Sequence, residues 1–237
     1  MKKIEIQGWQ YLIADHVSVE EANILLQKIA ALDYKVISVL KDTSRSTVKR
    51  IDINNKDLVL KVPNEKNNRL WIRFLTWFRA GEAFKNLQGM QKLADHNIPS
   101  TKPIIAAESR KFGMVVNSWL VYEYLDGQTC LNREETYPEV VEMLCRIHNE
   151  NLLHGDPQIR NFVTGNNQLY VIDANPKSSK SALSRAYEFA YLRKSAPDIE
   201  PYIADIKKSI PYKIARMWDS VDRWRARNKS RIKTKMH

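Results

Sequence analysis

The stretch LLHGDPQIRNFVTGNNQLYVIDAN, residues 152–175, decides how this sequence is read. His154, Gly155 and Asp156 stand in a row, Asn161 follows five residues after the Asp, and Asp173 comes twelve residues after that. NFVT and QLYVID flank GNN, which reads as a small hairpin. A loop carrying Asp-x4-Asn can set an acid and an amide at one site. The ionised Asp accepts or orients the proton of a hydroxyl, and the Asn carbonyl oxygen is a neutral, hard ligand suited to Mg2+. Asp173 ends the apolar run 169–172 and brings a second carboxylate to the same mouth. One group that handles a hydroxyl and two that hold a metal form the set phosphoryl transfer needs, because its catalysis is mostly positioning and charge neutralisation. Each piece alone is weak, since Asx residues are common in turns and His154 reads equally as a core histidine. The combination carries the reading.

The chain has 237 residues, 43% of them hydrophobic, enough for one large domain or two small lobes. Cys130 and Cys145 are its two cysteines, which excludes a disulfide framework, and no Cys/His cluster has zinc spacing. Both thiols are expected to be buried and inert in a reducing compartment. The start, MKKIEIQGWQYLIADH, has no apolar core of a secretory signal, and no run of about 18 apolar residues reads as a membrane span. The formal charge is +11, which steers a protein toward polyanions. From Lys213 onward nine Lys and Arg stand against Asp219 and Asp222, so most of the excess lies in a tail expected to be separable from the core.

Residues 19–32 read as an amphipathic helix with Ile24, Leu25, Ile29 and Leu32 on one face. YKVISVLK (34–41), TVKRIDI (47–53) and LVLKV (58–62), separated by DTSRS (42–46) and NNKD (54–57), predict a three-stranded antiparallel meander. A long helical region follows, in two pieces joined near Gly81, ending before IPSTKP (98–103). MVVNSWLVYEYLDG predicts a strand pair and a loop, and the rest is mostly helical apart from the opening stretch. Strands first and helices later predict an α+β protein, with a sheet-bearing N-lobe and a mostly helical C-lobe.

A phosphotransferase needs a cation for the phosphates. Lys61, between Leu60 and Val62 on the third meander strand, sits where a VAIK-type lysine would. Glu82, in FRAGEAFKNL, is the carboxylate that would orient it. LVYEYLDG is similar to the segment linking two kinase lobes, and backbone groups of Glu123 to Leu125 would meet an adenine edge.

With these residues in place, residues 34 to 195 resemble the protein-kinase-like superfamily. GDPQIRNF, VIDAN and LVLKV, in a chain of this length with a basic end, resemble in particular the lipopolysaccharide core heptose kinases of Gram-negative bacteria. The resemblance implies a protein-kinase-like two-lobed fold over one domain, with an N-lobe of about 1–123, a C-lobe of about 126–211 and a basic tail of about 212–237. It implies ATP- and Mg2+-dependent phosphorylation of a heptose hydroxyl of the inner core, that of the second heptose. Carried over, Asp156 orients the acceptor hydroxyl and takes its proton. Asn161 and Asp173 hold Mg2+, and Lys61, held by Glu82, contacts the α- and β-phosphates. Arg160 reaches the transferring phosphate in place of the lysine that many kinases carry at the slot of Gln158.

The departures are informative. The turn DTSRS has no glycine, so backbone N–H groups from Ser44, Arg45 and Ser46 to Thr47 would have to cradle phosphate without a Gly-rich loop. Asp173 precedes Ala-Asn rather than Phe-Gly, and there is neither an Ala-Pro-Glu segment nor a long activation loop. That points away from a regulated protein kinase and toward a small-molecule or glycolipid kinase.

Two basic amphipathic stretches read either as a core-packing helix and a solvated tail or as elements suited to an anionic membrane surface. In NRLWIRFLTWFRAG (68–81), Leu70, Trp71, Phe74, Leu75 and Phe78 share a face bordered by Arg69, Arg73 and Arg79, with Trp77 beside it. In the tail, Ile214, Met217, Val221 and Trp224 share another. The expected partners are therefore the lipopolysaccharide inner core and an anionic membrane surface, with a cytoplasmic location on the inner face of the inner membrane. No nucleic acid and no obligate protein partner are expected. The competing readings are a kinase of another small hydroxylated acceptor, aminoglycoside- or choline-like, and a nucleic-acid-binding pseudokinase.

Overall fold

The computed structural model describes residues 1–64 and 74–217. The chain divides into two compact units, Met1–Asp126 and the residues from Gly127 onward.

The first unit is built on a seven-stranded antiparallel sheet in the order β1-β2-β6-β7-β5-β4-β3. The predicted meander is there as β3 (Lys35–Asp42), β4 (Thr47–Ile53) and β5 (Lys56–Val62). Asn54 and Asn55, both at positive φ, make a two-residue turn of the type that follows the twist of the strands. Three strands were not expected. β1 (Lys2–Ile6) and β2 (Trp9–Ile13) form an N-terminal hairpin, and β6 (Pro103–Lys111) lies between β2 and β7. The strand pair expected in residues 114–127 is instead one strand, β7 (Met114–Glu123), whose partners are β6 and β5.

The middle of the sheet is covered on both faces, as successive residues show, while β3 at its edge is exposed throughout. Ile13, Ile105 and Val121 pack with Ala22, Leu25, Leu26 and Ile29 of helix α1 (Val19–Ala30). Their neighbours Leu12, Ala106 and Leu120 pack with Ala83, Phe84, Leu87 and Met90 of helix α2 (Glu82–Asp95). Ser18 caps α1 by accepting the Glu21 N–H at 3.1 Å. The face of α1 differs from the one predicted. Ile24 is exposed, and Leu32 lies beyond the helix end at positive φ, so Ala22 and Leu26 take their places in the core. Gly81 is the N-cap of α2, which puts the predicted break between helical pieces where the sequence suggested. Residues 76–79 are turn and bend, and the expected helical face Leu70–Trp71 with Arg69 and Arg73 lies outside the described residues.

Glu108, on β6, is fully buried. Its carboxylate takes the Phe84 N–H at 3.4 Å and Arg110 Nη2 at 2.9 Å, so it fixes the start of α2. A Cβ at Gly81 would come within 2.5 Å of Glu108 Oε1. Burial pushes this carboxyl above the usual carboxylate range, against the pull of Arg110.

The second unit holds helices α3 (Tyr137–Asn149) and α4 (Ala182–Ser195), a 3-10 stretch Pro197–Ile203 and short α5 (Ala204–Lys208). The predicted hairpin is β10 (Phe162–Gly165) with β11 (Gln168–Val171), turning on Asn166 and Asn167 at positive φ, and β8 (Gln128–Thr129) adds to β10. β9 (Leu152–Leu153) pairs with β12 (Lys177–Ser178). Residues 210–217 are helical, with Tyr212 and Ala215 buried, so the expectation of a tail separable from about residue 212 is corrected. Ile214 and Met217 face outward, while Val221 and Trp224 lie outside the described residues. Cys130 is buried and Cys145 only half-buried; burial raises both thiols above their ordinary pKa.

Candidate active site

The chain leaves β9 at Leu153 and enters β10 at Phe162, and the loop between them carries Asp156 and Asn161. Gly155 has φ +90, and a Cβ there would meet the Asn175 carbonyl at 2.5 Å, so the residue before Asp156 has to be glycine. The loop is pinned from α4. Glu188 is buried, and its carboxylate accepts the N–H groups of His154 (2.9 Å) and Gly155 (2.6 Å), with His148 Nε2 at 2.9 Å. The Ser195 hydroxyl takes the Ile159 N–H at 2.9 Å. The Asn175 N–H bonds the His154 carbonyl, which ties the end of the hairpin to the start of the loop.

Asp156 and Asn161 are brought together. Asn161 Nδ2 donates to the Asp156 carbonyl at 2.9 Å and lies 3.4 Å from its Oδ2. Gln158 Nε2 donates to Asp156 Oδ1 at 2.8 Å and lies 3.2 Å from the Tyr191 hydroxyl. Burial, and next the charge of Asp156, hold the Tyr191 phenol above its ordinary range, so it remains a protonated partner. The acid is thus aimed by an amide on each oxygen. Arg160 is exposed, with its carbonyl taken by Thr129 Oγ1. Asp173 is exposed at φ 52, two residues past β11, and the Ile172 N–H bonds the Asn161 carbonyl, which sets the two candidate metal ligands on neighbouring backbone. Because the Asn161 amide nitrogen is spent on Asp156, its Oδ1 is the atom left for a cation. An amide oxygen with carboxylates fits a hard, oxygen-seeking ion.

His154 belongs to the core. It is fully buried against Phe162, with ring centroids 5.2 Å apart, and its Nδ1 lies 3.3 Å from the Asp156 N–H. Burial pulls its pKa down to about 4 against the nearby carboxylates of Glu188, Asp156 and Asp173, so it is neutral.

In the first unit, Lys61 lies on β5 opposite Val48 and Leu120, and Glu82 is the first residue of α2. The turn 43–46 is closed by its own Thr43, whose N–H and hydroxyl lie 3.1 and 3.2 Å from the Ser46 carbonyl and whose oxygen takes the Ser46 N–H at 3.3 Å. Ser46 is buried, while Ser44 and Arg45 are exposed. A phosphate would therefore reach the Ser46 N–H only by displacing Thr43. The Glu123 and Tyr124 N–H groups are used by the Lys102 and Asp57 carbonyls.

Gln158, Tyr191, His148 and Glu188 were not singled out as site residues from the sequence. Glu188 had a signal there: it shares the buried side of α4 with Ala186, Phe189, Ala190 and Leu192, and a carboxylate among such residues demands partners.

The family described as lipopolysaccharide core biosynthesis protein (WaaY) matches residues 1–195. The chain belongs to this family. A lipopolysaccharide core heptose(II) kinase WaaY of Escherichia coli is 28% identical over 164 residues, 65% of this chain and 69% of the relative. Among solved structures, WaaP in complex with acyl carrier protein matches 93% of this chain and 98% of its own length, at 13% identity and a TM-score of 0.55. A thermostable mutant of the aminoglycoside phosphotransferase APH(4)-Ia matches 80% of this chain and 83% of its own, at 12% identity and a TM-score of 0.52. At these identities the structural likeness is one of fold, and the fold is the two-lobed α+β protein-kinase-like one.

Proposed function

We propose that this WaaY-family chain is an ATP- and Mg2+-dependent kinase that phosphorylates a hydroxyl of the second heptose in the lipopolysaccharide inner core. The observation that carries the reading is the loop 154–161, where Asp156 is held by Gln158 and Asn161 on a backbone that buried Glu188 fixes. In this reading Asp156 orients the acceptor hydroxyl and takes its proton. Asn161 and Asp173 hold Mg2+, which neutralises phosphate charge when bound. A site with few carboxylates suits this ion, which takes the rest of its shell from water and phosphate. Lys61, oriented by Glu82, contacts the α- and β-phosphates, and Arg160 reaches the transferring group. The exposed turn residues Ser44 and Arg45, with Ser46, line the phosphates. Backbone groups of Glu123 and Leu125 meet the adenine edge.

The basic residues from Lys213 onward would hold the enzyme at the anionic inner face of the inner membrane, at roughly 1 kcal/mol per Lys or Arg near the surface. Among the described residues no helix is long and apolar enough to cross a membrane.

The test is phosphate transfer from γ-labelled ATP to core lipopolysaccharide lacking phosphate, with Mg2+, by wild-type and Asp156→Ala proteins. Label in the core with the first and at least about 100-fold less with the second is expected. ATP binding without transfer to the core, alongside transfer to a soluble aminoglycoside or choline-like acceptor, would replace the proposed substrate class.

A further inference from the structure

The described residues contain four two-residue hairpin turns with both central residues at positive φ: Gln7–Gly8, Asn54–Asn55, Phe112–Gly113 and Asn166–Asn167. Such turns favour Asn, Asp or Gly, whose backbones tolerate the left-handed region. Three of the four start with an amide side chain. The fourth starts with a phenylalanine that is 80% exposed at the tip of β6–β7. A bulky residue in that conformation costs stability, and leaving its ring in water costs more. Turn formation does not account for Phe112.

The ring is not alone. Phe74, Trp77 and Phe78 are 45%, 58% and 81% exposed and touch one another, with Trp77 stacked on Phe78 at 6.1 Å and Phe74 edge-on to both. Their segment is stitched to the hairpin. Arg110 Nη1 donates to the Thr76 carbonyl (2.9 Å) and to the Gly113 carbonyl (2.8 Å), and the Thr76 hydroxyl takes the Val115 N–H at 2.8 Å. The Trp77 indole lies against Gly113 so closely that a Cβ there would be 3.2 Å from its Cδ1 and Nε1. Two segments more than thirty residues apart thus set the Phe74–Trp77–Phe78 cluster against the turn that carries Phe112.

The charge carried by these two segments has one sign. Arg79 and Lys111 are exposed beside the rings, Lys111 Nζ lies 5.8 Å from the centre of the Phe112 ring, and neither 74–81 nor 109–117 contains Asp or Glu. Glu108, just beyond, is buried and held by Arg110. A second copy of this surface would bring cation to cation. Trp and Phe settle at the headgroup boundary of a bilayer, and Lys and Arg beside them meet anionic lipid.

We infer that Phe74, Trp77, Phe78 and the Phe112 hairpin tip form a docking surface for an anionic lipid bilayer, its rings at headgroup depth with Arg79 and Lys111 on lipid phosphates. This names a surface in the first unit for the membrane reading above, distinct from the basic tail.

Full-length protein is sedimented with phosphatidylglycerol–phosphatidylethanolamine vesicles and with phosphatidylcholine vesicles. Phe112→Asn gives the turn its preferred residue, so its thermal midpoint should stay level or rise while its partition onto the anionic vesicles falls about tenfold. Phe78→Ser should lower partition to a similar degree. Unchanged partition of both variants would overturn the inference and leave binding to the tail. A wild-type dimer that either substitution turns into monomer would overturn it in favour of a second copy as occupant. Transfer to lipid-free core oligosaccharide should be equal in wild type and both variants. If wild type phosphorylates no core acceptor while Phe112→Asn still loses the vesicles, the substrate reading fails and the surface stands.

Discussion

Two loops of this chain are expected to serve the same chemistry and are held in opposite ways. The loop 154–161 takes its shape from far along the chain, because the carboxylate that receives the His154 and Gly155 N–H groups belongs to Glu188, more than thirty residues later and buried. The turn 43–46 takes its shape from itself, through Thr43 and Ser46, with Asn64 Nδ2 on the Thr47 hydroxyl at 2.8 Å. The acid is set by the core, and the phosphate turn by local bonds at the surface. The first arrangement is costly to disturb and the second is cheap to reset, which would suit the proposed role of this glycine-less turn beside a phosphate.

Substitutions can break or sharpen this contrast. The largest effect is expected from Glu188→Ala, which strands two backbone donors and His148 without their acceptor. A loss of about 3–5 kcal/mol in urea unfolding, and at least about 100-fold in transfer rate where the protein still folds, is expected. Gly155→Ala comes next, at about 2–3 kcal/mol, because the φ of +90 and the Asn175 carbonyl both resist a Cβ. A melt within a few tenths of wild type would show that the loop is not rigid.

The third effect is a pH dependence. His154 is neutral in the fold, with a pKa of about 4 against 6.5 for the ordinary side chain. The unfolded chain therefore takes up this proton first. The contribution is whole above pH 6.5 and is lost as pH falls toward about 4. Between pH 7 and 5 the unfolding free energy should drop by about 2 kcal/mol on account of this residue, and His154→Leu should remove that part of the slope. The smallest effect is expected from Thr43→Val, at about 0.5–1 kcal/mol in stability with a few-fold change in KM for ATP. If Thr43→Val cost as much as Glu188→Ala, the contrast between the loops would be gone.

The parts of the molecule that were legible in the sequence are those with one wet face or a turn signal. TVKRIDI alternates, the meander 35–62 turns on Asn-Asn, and the β10–β11 hairpin turns on Asn-Asn again. β6 gave no such signal because it is covered on both faces. Ile105 and Ala106 go to opposite cores, so PIIAAESRK shows no alternation. The β1–β2 hairpin turns on Gln-Gly, a weaker signal than Asn-Gly. Asp156 and Asn161 were found because they lie five residues apart, so their meeting is a local event. Glu188, Gln158 and Tyr191 complete the environment of that acid through a helix whose docking no local pattern records. The side of α1 was misjudged where Ile24 and Leu32 counted for hydrophobicity, although the helix stops at Ala30.

The strand order of the first unit also sets an order of assembly. β3, β4 and β5 are consecutive and can zip as soon as they leave the ribosome. β2 can find its inner neighbour only when β6, some ninety residues later, has been made. During synthesis the N-terminal hairpin, with Trp9 and Tyr11 on it, therefore waits without its long-range partner. A slow phase in refolding that is relieved by supplying residues 1–13 pre-docked, through circular permutation, would be the kinetic mark of that wait.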